Sequence, residues 1–217
     1  MTIRPSSLIA QTQRAARVAL FALSCAFLLT NAWAQRELTV RGPFLAKEAA
    51  VTFPERVGPF QRVTILIYSP DEKNLSVGYN LMNPATPVVA TVYVYPARRV
   101  ISIGSPRDVV EGARQKLEQM EMNSVIHEIS NAHRGAQLVL QETSSITTGG
   151  RTIRALHGRF AYREVFAGKK QALLGDVWLC TVGKWYVKYR VTYPAANETS
   201  ATSSVKKLMS ALPVPAA

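Results

Sequence analysis

Two alternating runs, Leu173–Val182 and Trp185–Tyr193, are separated by only two residues, Gly183-Lys184. No other feature restricts the fold of this chain so tightly. Runs rich in β-branched and aromatic residues form strands. A two-residue link with glycine first joins them as an antiparallel hairpin. That turn fixes the pairs: Val182 faces Trp185, Cys180 faces Val187, Trp178 faces Tyr189 and Asp176 faces Val191. One face then carries Trp178, Cys180, Val182, Trp185, Val187, Tyr189, Val191 and Tyr193. The other carries Val177, Leu179, Thr181, Tyr186, Lys188 and Arg190. A slip of one residue would bury the two cations with the aromatic row, so the register is strongly specified.

The aromatic row is the expected core face. The second row is the expected outward surface, centred on Tyr186, Leu179 and Val177 and flanked by Lys188 and Arg190. Arg159 and Arg163 would join it if the strand that carries them lies alongside.

The rest of the chain punctuates itself with proline and glycine. Strands are expected at Val51–Phe53, Phe60–Tyr68, Leu75–Leu81 and Val88–Tyr95, the last stopped by Pro96. In Phe60–Tyr68, alternation puts Val63, Ile65 and Ile67 on one face. Ser105-Pro106-Arg107-Asp108 reads as a helix start with Ser105 as the N-cap and Pro106 at the first helical position. Val110, Ala113, Leu117 and Met120 recur at helical spacing behind it, giving a long helix over about 106–129. Strands return at Gln137–Glu142 and Ile153–Phe166, with turns at Gly149-Gly150 and Gly168-Lys169-Lys170. In Ile153–Phe166, alternation places Leu156, Gly158, Phe160 and Tyr162 on one face and His157, Arg159 and Arg163 on the other. A short helix over about 203–212 closes the domain. The fold class is therefore α+β: a single antiparallel β-sheet with one long and one short helix packed on it.

Residues 1–34 stand apart. A basic leader with Arg4, Arg14 and Arg17 precedes the apolar run Val18–Thr30, and Ala32-Trp33-Ala34 follows. This is the pattern of a cleaved secretory signal peptide, and the run is short for a membrane-spanning helix. Cys25 opens a lipoprotein alternative, but cleavage there would leave the hydrophobic stub CAFLLTNAWA. The expected organisation is a signal peptide at 1–34, a loose lead-in at 35–50, one domain at 51–212 and a frayed tail at 213–217. A periplasmic or secreted protein without a transmembrane span after cleavage follows. Cys180 is then the one remaining thiol, so no intramolecular disulfide is expected and burial is its ordinary fate.

Charge narrows the partners. Residues 35–150 carry 12 basic and 11 acidic side chains, whereas residues 151–217 carry 11 basic and 3 acidic ones. A localised excess points to an anionic partner or to a solubilising face. Export disfavours nucleic acid.

Motifs that fix a chemistry are missing from the sequence. His127-Glu128 resembles the start of a zinc-protease motif, but the next histidine, His133, is six residues on and faces elsewhere on a helix. No metal or other cofactor is expected. His157 lies between Arg154 and Arg159, cations that favour its neutral form, and has no serine or cysteine beside it. The Thr147–Arg151 stretch is glycine-rich but lies between strands, so it reads as a turn and not as a phosphate cradle.

The stretches FPERVGPFQR (53–62), VGYN (77–80), TVYVYP (91–96) and WYVKYRVTYP (185–194) resemble a family of small secreted proteins of Gram-negative bacteria with no assigned activity. That resemblance implies secretion and supplies no catalytic residue. The strand–helix–strand–helix order is similar to the PsbP-like fold, which implies an accessory or assembly role. Three functions remain as expectations. The first is a non-enzymatic accessory protein making a protein contact in the cell envelope. The second is a binder of anionic envelope lipid or glycan through Lys188, Arg190, Arg159 and Arg163. The third is a hydrolase, which requires His157 or His127 to line a pocket beside a serine, cysteine or acid.

Overall fold

The computed structural model describes residues 35–217 apart from 82, 84, 102 and 217. The signal-peptide expectation lies outside the described residues. Gln35–Ala217 is one unit with its own core. Its strands are β1 (Arg36–Glu37), β2 (Phe44–Ala46), β3 (Val51–Phe53), β4 (Arg56–Val57), β5 (Phe60–Ile67), β6 (Leu75–Leu81) and β7 (Val88–Pro96). Helix α1 (Arg107–Ala132) follows, then β8 (Gln137–Thr148), β9 (Arg151–Phe166), β10 (Lys169–Val182) and β11 (Trp185–Pro194). A 3-10 turn at Ala195–Asn197 leads into α2 (Glu198–Ala211).

Nine strands form one sheet in the order β1-β5-β6-β7-β11-β10-β9-β8, with β4 paired to β5. Every pairing is antiparallel. A separate ribbon, β2–β3, was not expected beside the single sheet. The β10–β11 hairpin has the expected register, Val182 opposite Trp185 through Asp176 opposite Val191. Its turn is the expected kind: Gly183 has φ 58° and Lys184 stays out of the left-handed region. The β9–β10 turn falls earlier than expected, on Ala167 (φ 49°) and Gly168 (φ 78°).

The lead-in is not loose. Phe44, Ala46 and Ala49 are buried. The buried Arg62 guanidinium holds this region by donating to the carbonyls of Phe53 (2.8 Å), Val40 (2.7 Å) and Gly42 (2.6 Å). The pairing of β5 with β6 shifts between Arg62 and Thr64. This bulge changes the parity, so Ile65 and Ile67 are buried while Val63 is exposed, against the expected shared face. At the other end, Val214 packs on the core and Pro215 is buried, so the chain stays on the fold past residue 213.

Both faces of the sheet are covered. On one, α2 contributes Ala201, Val205, Leu208 and Met209 to a core with the aromatic row of the hairpin. It begins five residues before the expected start, because the 3-10 turn delivers Glu198 directly into its first turn. On the other face, α1 lays Met122, Val125 and Ile129 over Leu156, Phe160, Val177, Leu179 and Tyr186. The helix starts at Arg107 with Pro106 at its cap position, so Ser105 is not the cap. Its buried stripe is Glu118, Met122, Val125 and Ile129; Met120, expected on the apolar stripe, is exposed.

At Gly158 the helix α1 packs tightly on the sheet. A Cβ there would lie 2.9 Å from Met122 Cε and 3.3 Å from Val177 Cγ1. Gly158→Ala is expected to cost about 1–3 kcal/mol by overpacking, read as a lower urea midpoint with unchanged slope.

Strand β8 is one edge of the sheet. Its register with β9 shifts between Leu138 and Leu140, leaving Val139 out of the ladder and exposed.

Candidate functional site

The expected binding surface is not a surface. Tyr186, Leu179 and Val177 are buried beneath α1, and Tyr186 packs at 5.5 Å against the Tyr95 ring. Lys188 is buried too. Its ammonium sits 4.4 Å from the centre of the Tyr93 ring and 5.7 Å from that of Tyr95, with Glu128 Oε2 at 3.7 Å. Burial pulls its pKa down, and Glu128 only partly opposes this. Arg190 donates to His133 Nε2 (2.9 Å) and lies 3.6 Å from Glu128. Because arginine can only donate, His133 accepts at Nε2 and donates from Nδ1 to Glu164 at 3.0 Å.

The register was right, yet it did not imply exposure. Parity decides which residues share a face; the crossing of α1 decides that this face is dry. Arg159 and Arg163 are on the opposite face, so the expected four-cation patch does not assemble. Arg163 is exposed. His127 is exposed within α1, five residues short of its end. Among the described residues no group of three histidine, cysteine or acidic side chains can hold a metal ion. Cys180 is buried as expected, and burial pushes its thiol up to about 12, so it is inert.

A different group of side chains does converge. Strand pairing puts His157 beside Trp178, Arg159 beside Asp176, and Glu142 beside His157. All of them lie on the face that carries α2. Asp176 is 1% exposed and accepts from His157 Nε2 (2.7 Å), Arg159 Nε (2.8 Å) and the Tyr193 hydroxyl. Burial alone would raise its pKa. The hydrogen bonds from His157, Arg159 and Tyr193 together outweigh burial and hold the carboxyl below its ordinary value. The hydrogen bond to Asp176 in turn pushes the Arg159 guanidinium pKa up, and burial followed by the Asp176 carboxylate raises that of Tyr193.

The second ring nitrogen of His157, Nδ1, faces Glu142 Oε1 at 3.2 Å. The imidazole lies flat on Trp178, 4.6 Å between centroids at 6°. Arg154 does not bear on His157: its side chain reaches Glu118 on the α1 face.

Next to this network is an open cleft of about 570 Å³ between β8, the sheet and α2. Leu140, Ile146, Trp178 and Met209 give it apolar walls, and His157, Arg159 and the Glu142 carboxylate line it from the sheet. Lys206, exposed on α2, also lines it. The Ser144 hydroxyl in its wall is enclosed and has no hydrogen-bond partner among the described residues. Concave, largely apolar sites with a few convergent polar groups are where small ligands bind.

The chain is similar in outline to a PsbP-like domain. The solution structure of cyanobacterial PsbP (CyanoP) from Synechocystis sp. PCC 6803 matches with a TM-score of 0.39 and 12% identity, covering 89% of this chain and 99% of that one. The Ran-binding protein Mog1p of Saccharomyces cerevisiae matches with a TM-score of 0.32 and 12% identity, covering 79% of this chain and 83% of that one. Neither likeness says what this chain binds. No protein-family model and no curated protein matches the chain, so the expected kinship with small secreted proteins has no family match behind it.

Sequence reasoning missed Asp176, Glu142, Ser144 and Lys206 as members of a site. One signal was available. The hairpin register places Asp176 on a row that is otherwise apolar or aromatic, and a carboxylate there must find donors across the sheet.

Proposed function

We propose that this protein is a non-enzymatic, extracytoplasmic binding module that holds a small amphipathic anion in the cleft between β8, β9 and α2. The observation that carries the reading is the cleft itself: apolar walls, an exposed lysine in its lining and an enclosed serine hydroxyl without a partner. The leader pattern of residues 1–34 supports the compartment. The engagement of His157 supports binding over catalysis. Both nitrogens of His157 are engaged by carboxylates, whereas a general base needs one nitrogen free for the nucleophile. The envelope protein contact expected through Tyr186, Leu179 and Val177 has no accessible surface at those residues.

The test uses 8-anilinonaphthalene-1-sulfonate, an aromatic body with one anionic group, titrated by fluorescence. Saturable one-site binding is expected. Lys206→Glu should weaken it about fivefold, the scale of an exposed charge pair reversed in sign. Ser144→Leu, which fills the cleft, should abolish it. Equal binding by both variants would overturn the reading. Turnover of p-nitrophenyl acetate that disappears in His157→Gln would replace it with hydrolysis.

A further inference from the structure

The two most exposed large hydrophobic side chains among the described residues are close together in sequence, in the connection between β7 and α1. Ile101 is 85% exposed and Ile103 is 93% exposed. Single exposed aliphatic residues are ordinary; a pair this exposed on one short segment is not accounted for by the core. The segment is also basic. Residues 97–116 contain Arg98, Arg99, Arg107, Arg114 and Lys116 against Asp108 and Glu111.

The root of the segment is tied to the hairpin. Ala97 N donates to the carbonyl of Lys184 at 2.9 Å, next to the β10–β11 turn. The start of the segment helps line a second, smaller cleft of about 180 Å³, with Arg98, Arg99, Arg114 and Lys184 in its wall. Four cations therefore line one depression, and Val100, the residue before Ile101, lines it as well. The depression lies on the α1 side of the sheet, whereas the His157 cleft lies on the α2 side, and it does not depend on the reading given to that cleft.

Projecting aliphatic side chains backed by cations match one partner in particular. A bilayer with anionic headgroups has an apolar layer beneath a negatively charged one, and peripheral proteins engage it with both kinds of side chain at once. A soluble polyanion offers nothing to the isoleucines, and a protein groove would not require the ring of cations. We propose that Ile101 and Ile103, together with the neighbouring cations, dock this protein on anionic bilayers. Ile101 and Ile103 enter the interfacial layer, and Arg98, Arg99, Arg114 and Lys184 receive the headgroup phosphates. The surface differs from the basic sheet face expected from the sequence, which α1 covers.

The experiment is vesicle co-sedimentation of the chain from Gln35, whose core is complete in itself. One set of vesicles contains phosphatidylglycerol in phosphatidylethanolamine, and the other is pure phosphatidylcholine. Binding is expected only to the first set. Ile101→Ser with Ile103→Ser should lower partitioning about tenfold or more, since both apolar anchors are lost. Arg98→Gln with Arg99→Gln should lower it about thirtyfold, about fivefold for each cation, and should flatten its salt dependence. These side chains are exposed, so circular dichroism should show all variants folded. Equal binding to phosphatidylcholine, or no loss in the isoleucine variant, would overturn the proposal. So would full competition by a soluble sulfated glycan in the isoleucine variant and the parent alike, which would make the segment a glycan site.

Discussion

Asp176→Ala is expected to lower stability by about 3–5 kcal/mol, the cost of removing one partner from a buried charged network. The carboxylate is 1% exposed and accepts from three side chains. Without it, His157 Nε2, the Arg159 guanidinium and the Tyr193 hydroxyl lose a common acceptor where little water reaches them. Tyr193→Phe, which removes a single donor, should cost about 1–2 kcal/mol. The acid limb separates this effect from a general packing loss. The folded pKa of Asp176 is depressed below the ordinary 3.8. The unfolded chain therefore takes up the proton first as pH falls. The contribution is fully present above the unfolded value and is lost as pH drops from about 4 through the folded value. Urea midpoints measured between pH 6 and pH 2 should fall steeply in the parent. They should fall less steeply in Asp176→Ala, whose stability at pH 6 already lacks this contribution. Parallel acid limbs would show that Asp176 is not held as described.

Lys188→Glu is expected to be nearly as damaging, for the opposite sign of charge. Lys188 is enclosed by the Tyr93 and Tyr95 rings and faces Glu128. A carboxylate there meets the negative faces of two rings and a second carboxylate, with no donor to replace water. A loss of more than about 3 kcal/mol follows. Lys188→Met should fall within about 1 kcal/mol of the parent, because the lost cation–π attraction is offset by removing a desolvated charge. The titration sign is also fixed. The folded pKa of Lys188 lies below the ordinary 10.5. Between the two values the unfolded chain holds the proton that the folded one sheds, so this residue adds stability as pH rises towards 10.5. Thermal melts across the alkaline range should show that gain in the parent and not in Lys188→Met. A Lys188→Glu variant as stable as the parent would show the site to be wet.

These two residues also show what was readable in advance. The hairpin register followed from one glycine turn, and alternation along β9 correctly separated Leu156 and Phe160 from His157 and Arg159. Rows, however, do not reveal depth. Lys188 and Tyr186 were assigned to solvent because no local feature announces that a helix 60 residues earlier in the chain will cross that face. The helix hid its own buried stripe, since Glu118 occupies a core position, bonded to Thr181 and Arg154, and breaks the apolar periodicity. Val63 was misplaced by a bulge that leaves no mark in composition. The cleft was the least legible feature. Its walls come from β8, β9, β10 and α2, segments up to about 70 residues apart, and its key carboxylate looked like an isolated misfit in a core row.

The β8 edge of the sheet has a consequence for the life of the protein at high concentration. A strand of 12 residues paired on one side only is a template on which another copy can grow. The dislocation at Val139 interrupts that template near one end, and its exposed neighbours on the remaining length include Glu142. A second molecule approaching in antiparallel alignment would meet a broken ladder and a carboxylate instead of a continuous row of amides. Bulges and charged side chains on an edge strand are the features that disfavour its pairing with another copy.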